Sequence, residues 1–439
     1  MRLRDIRASK RAVSGVGRAV ALALVAWAAL IIVGYLWVRH LNSTGLELLV
    51  NAPPVAGRFD LSEPGVRILV PLAVIGLVIA LGPVAAERLG WTRLLVCVAV
   101  VGFTWALSLT ALESGSLTGA PLRDSEYLHD VALVGSPGSF LSGFVDNIDV
   151  YATHVRGHPP GFILVLWGMD EVGLDGAIPA AMLMIAGGSL AAPAALVGLR
   201  EVAGEQRARA AAPFMVVLPA AIWIATSADA FHAGVSAWGV VLIVLATGRS
   251  GRHSDLLALS GGLLLGVSLL LSYGLILIAT VPLAVAIARR RRRPVVFAAV
   301  AGLIPLAIFA AAGFWWLAGL QATRETYYDG VASIRPYETF LVANLSAFAI
   351  VIGPAVAAAL ALLRDHRAWL LVGGGLAAVA LADLSGMSKA EVERIWLPFV
   401  PWVALATCAL PASPAATRIW LAVSAIFALG FEMAVLTSW

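Results

Sequence analysis

Two short polar segments hold the residues best suited to chemistry. The first, RDSEYLHD at 123–130, carries Asp124, Glu126 and Asp130 beside His129. A carboxylate held near a membrane surface can act as general base on an acceptor hydroxyl. Glu126 and Asp130, four apart, would share one helix face, whereas Asp124 and Glu126 are only two apart. Asp124 also reads as the N-cap of a helix that starts shortly after it. The second segment, HVRGHPPG at 154–161, sets His154, Arg156 and His158 in front of the apolar run FILVLWG. A Pro-Pro pair can open a helix, because the first turn does not need the missing N–H groups. That accounts for the helix start and leaves the polar residues before it unexplained. Arg156 suits a phosphate or carboxylate, and His158 a sugar hydroxyl or a phosphate. His154 and His158 are also spaced to share a metal with an acidic residue of the same loop, although Gly157 and Pro159 argue against a helix through the pair.

Three further segments carry polar groups. TSADAFH at 226–232 contains Asp229, whose simplest role is a helix cap at a membrane interface. RETYYDG at 324–330 and KAEVERIW at 389–396 bring Arg324, Tyr327, Lys389 and Arg394. These are phosphate-competent groups, and equally groups that anchor in a headgroup layer. There is no Walker-type glycine loop, no GxSxG and no CxxC pair, so nucleotide-driven chemistry is not expected.

What must position these residues is a membrane bundle. Of the 439 residues, 60% are hydrophobic and 13% charged, against about 25% charged in soluble domains. Mean hydropathy is +0.91. Apolar runs of roughly 20 residues, enough to cross a bilayer, recur from end to end. The alternating pattern of a membrane β-barrel is absent from the sequence. An all-α polytopic membrane protein is therefore expected, with about 13 spans, at 18–38, 66–86, 92–112, 176–198, 211–226, 231–248, 255–271, 273–288, 295–318, 339–363, 368–385, 395–411 and 419–437. The net charge of +4 lies mostly in short loop clusters and does not suggest nucleic acid as a partner. Cys97 and Cys408 both fall in apolar spans without metal-ligand spacing. The basic start, MRLRDIRASKR, reads as the flank of a retained first helix.

Lys and Arg in short loops mark the cytoplasmic side. The N-terminus, ERLGWTR (87–93), REVAGEQRAR (200–209), GRSGRH (248–253), RRRRRP (289–294) and RDHR (364–367) are such markers. Residues 255–288 lie between two of them and should form a hairpin bent at Ser272-Tyr273-Gly274. By the same parity the run 159–170 cannot cross and should be a juxtamembrane or re-entrant helix on the outer side. The loop 113–175 is then outer and acidic, and the later outer loops 319–338 and 386–394 supply cations and tyrosines.

The ordered set DSEY (124–127), HPPGFILVLWG (158–168), SADA (227–230), LLLGVSLLLSYGLILIA (263–279) and ERIWLPFVPW (393–402) resembles the GT-C integral-membrane glycosyltransferases, in particular bacterial relatives of the protein O-mannosyltransferase and aminoarabinose-transferase group. The likeness spans roughly residues 92–411 and leaves residues 1–90, a basic tail and two helices, as an N-terminal addition to a catalytic domain at 91–439. It implies a polyprenyl-phosphate sugar donor, an outer glycan or glycolipid acceptor, and Asp124 or Glu126 as base. Arg156, His158, Lys389 and Arg394 would hold the donor phosphate, with Arg324 and Tyr327 nearby and Asp130, His154 and Asp229 as further contributors. No organic cofactor is implied; some members use a divalent cation, Mg²⁺ or Mn²⁺. The acidic motif departs from the adjacent acidic pair of the family, so either carboxylate could be the base, and no large C-terminal soluble domain follows, which favours a small or lipid-linked acceptor or a surface polysaccharide over a folded protein.

The expectation is thus an inverting transferase of mannose or arabinose in a bacterial plasma membrane, its active site on the extracytoplasmic side. The alternative is a transporter or flippase of a lipid-linked sugar. That alternative calls for polar sites near the midplane and related halves, whereas the polar residues here gather at one face. A third reading is a subunit that binds lipid-linked sugar and scaffolds a partner.

Overall fold

The computed structural model describes residues 3–61, 63–112, 126–225 and 227–437, with side chains from residue 15 onward. The chain is almost wholly helical. The helices used below are α1 (Leu3–Ser43), α2 (Leu69–Arg88), α3 (Trp91–Thr110), α4 (Thr153–Arg156), α5 (Gly161–Asp170), α6 (Ala177–Ala203), α7 (Ala228–Thr247) and α8 (Gly251–Leu271). They are followed by α9 (Thr280–Ala288), α10 (Arg292–Ala311), α11 (Trp316–Asp329), α12 (Tyr337–Leu362), α13 (His366–Leu384), α14 (Val392–Ile395) and α15 (Pro414–Ala434). Among the described residues, eleven helical segments are long and apolar enough to cross a membrane. Helices suit this solvent because they satisfy their own backbone groups where no water is present. The protein is an all-α, multi-pass membrane protein.

The other two expected spans are crossings of a different kind. In place of a helix over 211–226, the described residues form two 3-10 turns, Phe214–Val216 and Pro219–Trp223. Pro213 and Pro219 remove the N–H donors that a continuous α-helix would need. In place of a helix over 273–288, a 3-10 run Tyr273–Ala279 leads into the short α9. The break stands at Ser272, which is extended (φ −154°, ψ 134°), at the bend expected from the sequence.

Helix register explains why both broken segments must return across the bundle. A side chain on Gly188 would meet Ala230 and one on Gly198 would meet Val241, so α6 and α7 run parallel. Gly262 lies against Ala298 and Gly266 against Gly302, so α8 and α10 also run parallel. Small residues at these contacts let the backbones approach closely. Two parallel neighbours joined in sequence require a crossing between them, and 204–225 and 272–291 supply it.

Alternate crossings bring residues 44–61, 126–176, 312–336, 385–391 and 435–437 to one end of the bundle. The basic clusters share the other end. There Glu201 bonds both Arg249 (3.0 Å) and Arg289 (3.2 Å), Arg293 pairs with Asp255 at 2.9 Å, and Arg209 donates to the carbonyls of Ala86 and Leu89. The ten-residue α5 is about 15 Å long, too short to cross. It rests with Gly161 against the Leu270 carbonyl at the end of α8.

Residues before 91 pack into the same bundle. Trp27 Nε1 donates to Ala349 O and Ser346 Oγ to Leu30 O, both at 2.8 Å, seating α1 antiparallel on α12. The strand Gly57–Phe59 pairs antiparallel with Val435–Thr437. The main core fills the bundle, and a second one, with Tyr127, Phe140, Phe144, Tyr151, Phe162 and Phe314, lies under the first large loop.

Candidate functional site

At the loop-rich end, one arginine collects groups from four separate stretches of chain. Arg394 sits in the single turn of α14, just after Ala390 and Glu391, both left-handed at φ 71° and 62°. Two consecutive non-glycine residues in this region are strained, and such strain concentrates at functional sites. The guanidinium bonds Asp229 Oδ2 through Nη1 at 2.9 Å, and Glu391 Oε2 and His154 Nε2 through Nη2 at 2.9 and 2.8 Å. His154 Nδ1 in turn lies 2.8 Å from Glu126 Oε1. Arg394, Asp229, His154 and Glu126 are all buried. Isolated charges would be very costly here; pairing makes them tolerable.

The bonds assign the His154 proton. An arginine can only donate, so Nε2 is the acceptor and Nδ1–H donates to Glu126. The chain Asp229–Arg394–His154–Glu126 is therefore continuous in donor and acceptor sense. Asp229 accepts as well from Ser227 Oγ at 3.1 Å and benefits from the N-terminal dipole of α7. Burial resists ionisation of Glu391, but Arg394, His154 and Arg335 outweigh it and hold its carboxyl below the usual range.

Other side chains line the cluster. His158 follows α4, and its Nδ1 faces His154 O at 2.9 Å. Burial lowers its pKa to about 4, outweighing Asp229, so the ring is neutral with Nδ1–H donating and Nε2 open as an acceptor. Tyr127 is buried beside it and its hydroxyl has no hydrogen-bond partner among the described residues; burial first, then Asp229, pushes its pKa well above the usual value. Arg156 is half-buried, and its guanidinium has no partner among the described residues. Its carbonyl accepts from Thr323 Oγ1 at 2.9 Å, tying α4 to α11.

Several expectations are corrected by this arrangement. Glu126 and Asp130 do not share a helix face: Glu126 precedes a 3-10 helix, Tyr127–Leu133, whose tighter turn sends the two carboxylates apart. Glu126 goes to His154, whereas Asp130 bonds His129 and the Ala152 amide. Asp229 is not the cap of α7. Ser227 is, and Asp229 is turned inward on Arg394. A helical turn does run through 153–156 despite Gly157, but the His154 and His158 rings serve different partners. Among the described residues no three His, Cys, Asp or Glu side chains are grouped to hold a metal ion. Asp124 lies outside the described residues.

Of the cations expected to hold the donor phosphate, Arg394 and Lys389 are engaged. Arg394 bonds Asp229, Glu391 and His154. Lys389 Nζ donates to Ala332 O at 2.9 Å and its amide to Tyr327 Oη at 2.7 Å, while Arg335 holds the carbonyls of Leu48 and Lys389. Burial raises Tyr327 to about 12. Arg324 is exposed over the Tyr328 ring at 5.9 Å. These residues lock the 385–391 loop. His232 and Glu391 were not anticipated as site residues, although each is three positions from one that was, Asp229 and Arg394. Glu393 is buried too, and accepts from the Ala56 amide at 2.8 Å, so the 44–61 segment backs the site.

No family model, characterised protein or solved structure matches this chain.

Proposed function

We propose that this protein is a GT-C-type glycosyltransferase of a bacterial plasma membrane. In this reading it moves a sugar, mannose or arabinose, from polyprenyl phosphate to a glycan or glycolipid on the extracytoplasmic side. The observation that carries the reading is the buried chain Glu126–His154–Arg394–Asp229 at the loop-rich end of an apolar bundle, with Arg156, half-buried and without a side-chain partner among the described residues, two positions after His154. A lipid-borne substrate reaches such a place from the bilayer.

The reaction needs little else. The acceptor hydroxyl oxygen bonds to the anomeric carbon as the bond from that carbon to the phosphate oxygen breaks, inverting the centre. The lipid phosphate leaves with the electron pair, and a cation such as Arg156 stabilises it. The hydroxyl proton passes to a carboxylate, Glu126 or Asp124. His154, itself held by Arg394, orients Glu126 through one oxygen and leaves the other without a partner among the described residues.

A flippase or transporter of the same lipid is the second reading. It is favoured by the broken crossings at 214–223 and 272–279, since transporters use interrupted helices. Purified protein in liposomes, given labelled polyprenyl-phosphate sugars and crude acceptor, separates the two. Transfer of one sugar that drops by about 10²–10⁴ in Glu126→Gln or Asp124→Asn supports the enzyme. Label that crosses the bilayer still attached to its lipid, with no transfer, supports the flippase. Loss of transfer on adding EDTA would add a divalent cation.

A further inference from the structure

Beside the Arg394 chain stand polar groups that it does not use. Tyr127 Oη and both ring nitrogens of His232 are buried without a hydrogen-bond partner among the described residues. His232 Nδ1 is 3.6 Å from Asp229 Oδ1, too far for a hydrogen bond. His158 Nδ1 is committed to His154 O, which leaves its Nε2 as an acceptor. These side chains are neighbours. The Tyr127 and His158 rings are 6.0 Å apart, as are those of His158 and His232. Phe162 stands edge-on to Tyr127 at 5.0 Å and to His232 at 5.4 Å. Buried polar groups almost always find a partner, and leaving them unmatched is more unfavourable than an ordinary hydrogen bond is favourable. A cluster of them marks a place where the partner comes from outside.

Donor and acceptor chemistry identifies that partner. A tyrosine hydroxyl both gives and takes, a neutral imidazole offers one of each, and His158 Nε2 can only take. An oxyanion has nothing to donate to Nε2. It would also lie beside three carboxylates, Asp229 and Glu391, which pair with Arg394, and Glu126, which pairs with His154. A hydroxyl-bearing ring matches every group, since each hydroxyl donates and accepts, and Phe162 and Tyr127 offer apolar surface to its C–H bonds. We infer that Tyr127, His158 and His232 form the subsite for the sugar ring of the lipid-linked donor, with its phosphate on the Arg156 side. Resting on the glycosyl-transfer reading, the inference narrows it by separating sugar recognition from phosphate recognition.

The test compares binding of polyprenyl-phosphate mannose and arabinose with bare polyprenyl phosphate, by tryptophan fluorescence of the full-length protein in nanodiscs. Transfer is followed in parallel. Wild type should prefer one sugar-loaded lipid, and Tyr127→Phe should cut that preference about tenfold with bare-lipid affinity unchanged. His232→Leu, which keeps bulk and removes both nitrogens, should do the same. Tyr127→Phe should not lower Tm, because the hydroxyl removed has no partner among the described residues. Preserved preference in both variants, or a lowered Tm in Tyr127→Phe, overturns the subsite while wild-type transfer leaves the transferase reading standing. A wild type that neither prefers nor transfers any sugar removes both.

Discussion

His154 Nε2 accepts a hydrogen bond from Arg394 across 240 residues of sequence, at 2.8 Å, and this contact decides which nitrogen of His154 faces Glu126 with a proton. Arg394→Ala should therefore do two kinds of damage. It strands Asp229 and Glu391 and frees His154 to change tautomer. Loss of one partner from a buried ion pair costs about 3–5 kcal/mol, so Tm should fall steeply. Arg394→Lys supplies a point charge that cannot span three acceptors, and it should restore part of the stability but little transfer activity. Equal recovery of both would show that the fork geometry is irrelevant.

His158 predicts a pH dependence. Folded, its ring takes a proton only near pH 4, because of burial; unfolded, it does so near 6.5. Between those values the unfolded chain holds the extra proton, so stability rises with pH across the window. The contribution is complete above about 6.5 and is lost as the pH falls toward 4. Melting curves of wild type and His158→Asn from pH 4 to 8 check this: the variant should show the shallower acid decline. Parallel declines would mean that other groups carry it.

The 385–391 loop separates structural from exposed residues. Tyr327→Phe removes the acceptor of the Lys389 amide and should cost about 1 kcal/mol. Lys389→Met, which loses the bond to Ala332 O, should cost a similar amount. Arg324→Ala, on an exposed side chain, should stay within about 0.5 kcal/mol. Chemical denaturation of the three in one detergent tests the order.

Gly234 meets the carbonyl of Gly187 where α7 crosses α6. A methyl group there must push the helices apart, and α7 carries Asp229 and His232. Gly234→Ala should lower both Tm and transfer, whereas Gly76→Ala, with open space around it, should change neither. An unchanged Gly234→Ala would show that the contact is not tight.

Much of the architecture could be read in advance because lipid imposes it. Long apolar runs must be helices, the basic loops do share one end, and the short run after Pro159-Pro160 is too short to cross. The break at Ser272 was legible from the parity of the charged loops. The 211–226 crossing is apolar enough to read as an ordinary helix, but Pro213 and Pro219 set its local geometry instead.

The site was legible in its parts and not in its pairings. Residue type and proximity to span ends singled out Glu126, His154, His158, Asp229 and Arg394. Their assembly depends on contacts spanning 165 residues, from Asp229 to Arg394, and 240, from His154 to Arg394. By itself the sequence determined a membrane bundle with its polar chemistry at one end, since hydropathy and charge act locally along the chain. Only the tertiary structure decided that Arg394 is spent on carboxylates, that Asp229 turns inward, and that Tyr127 and His232 are left unmatched. Those outcomes depend on which helix ends meet, and helix packing in a membrane is settled by small-residue contacts such as Gly187 with Gly234, not by hydropathy.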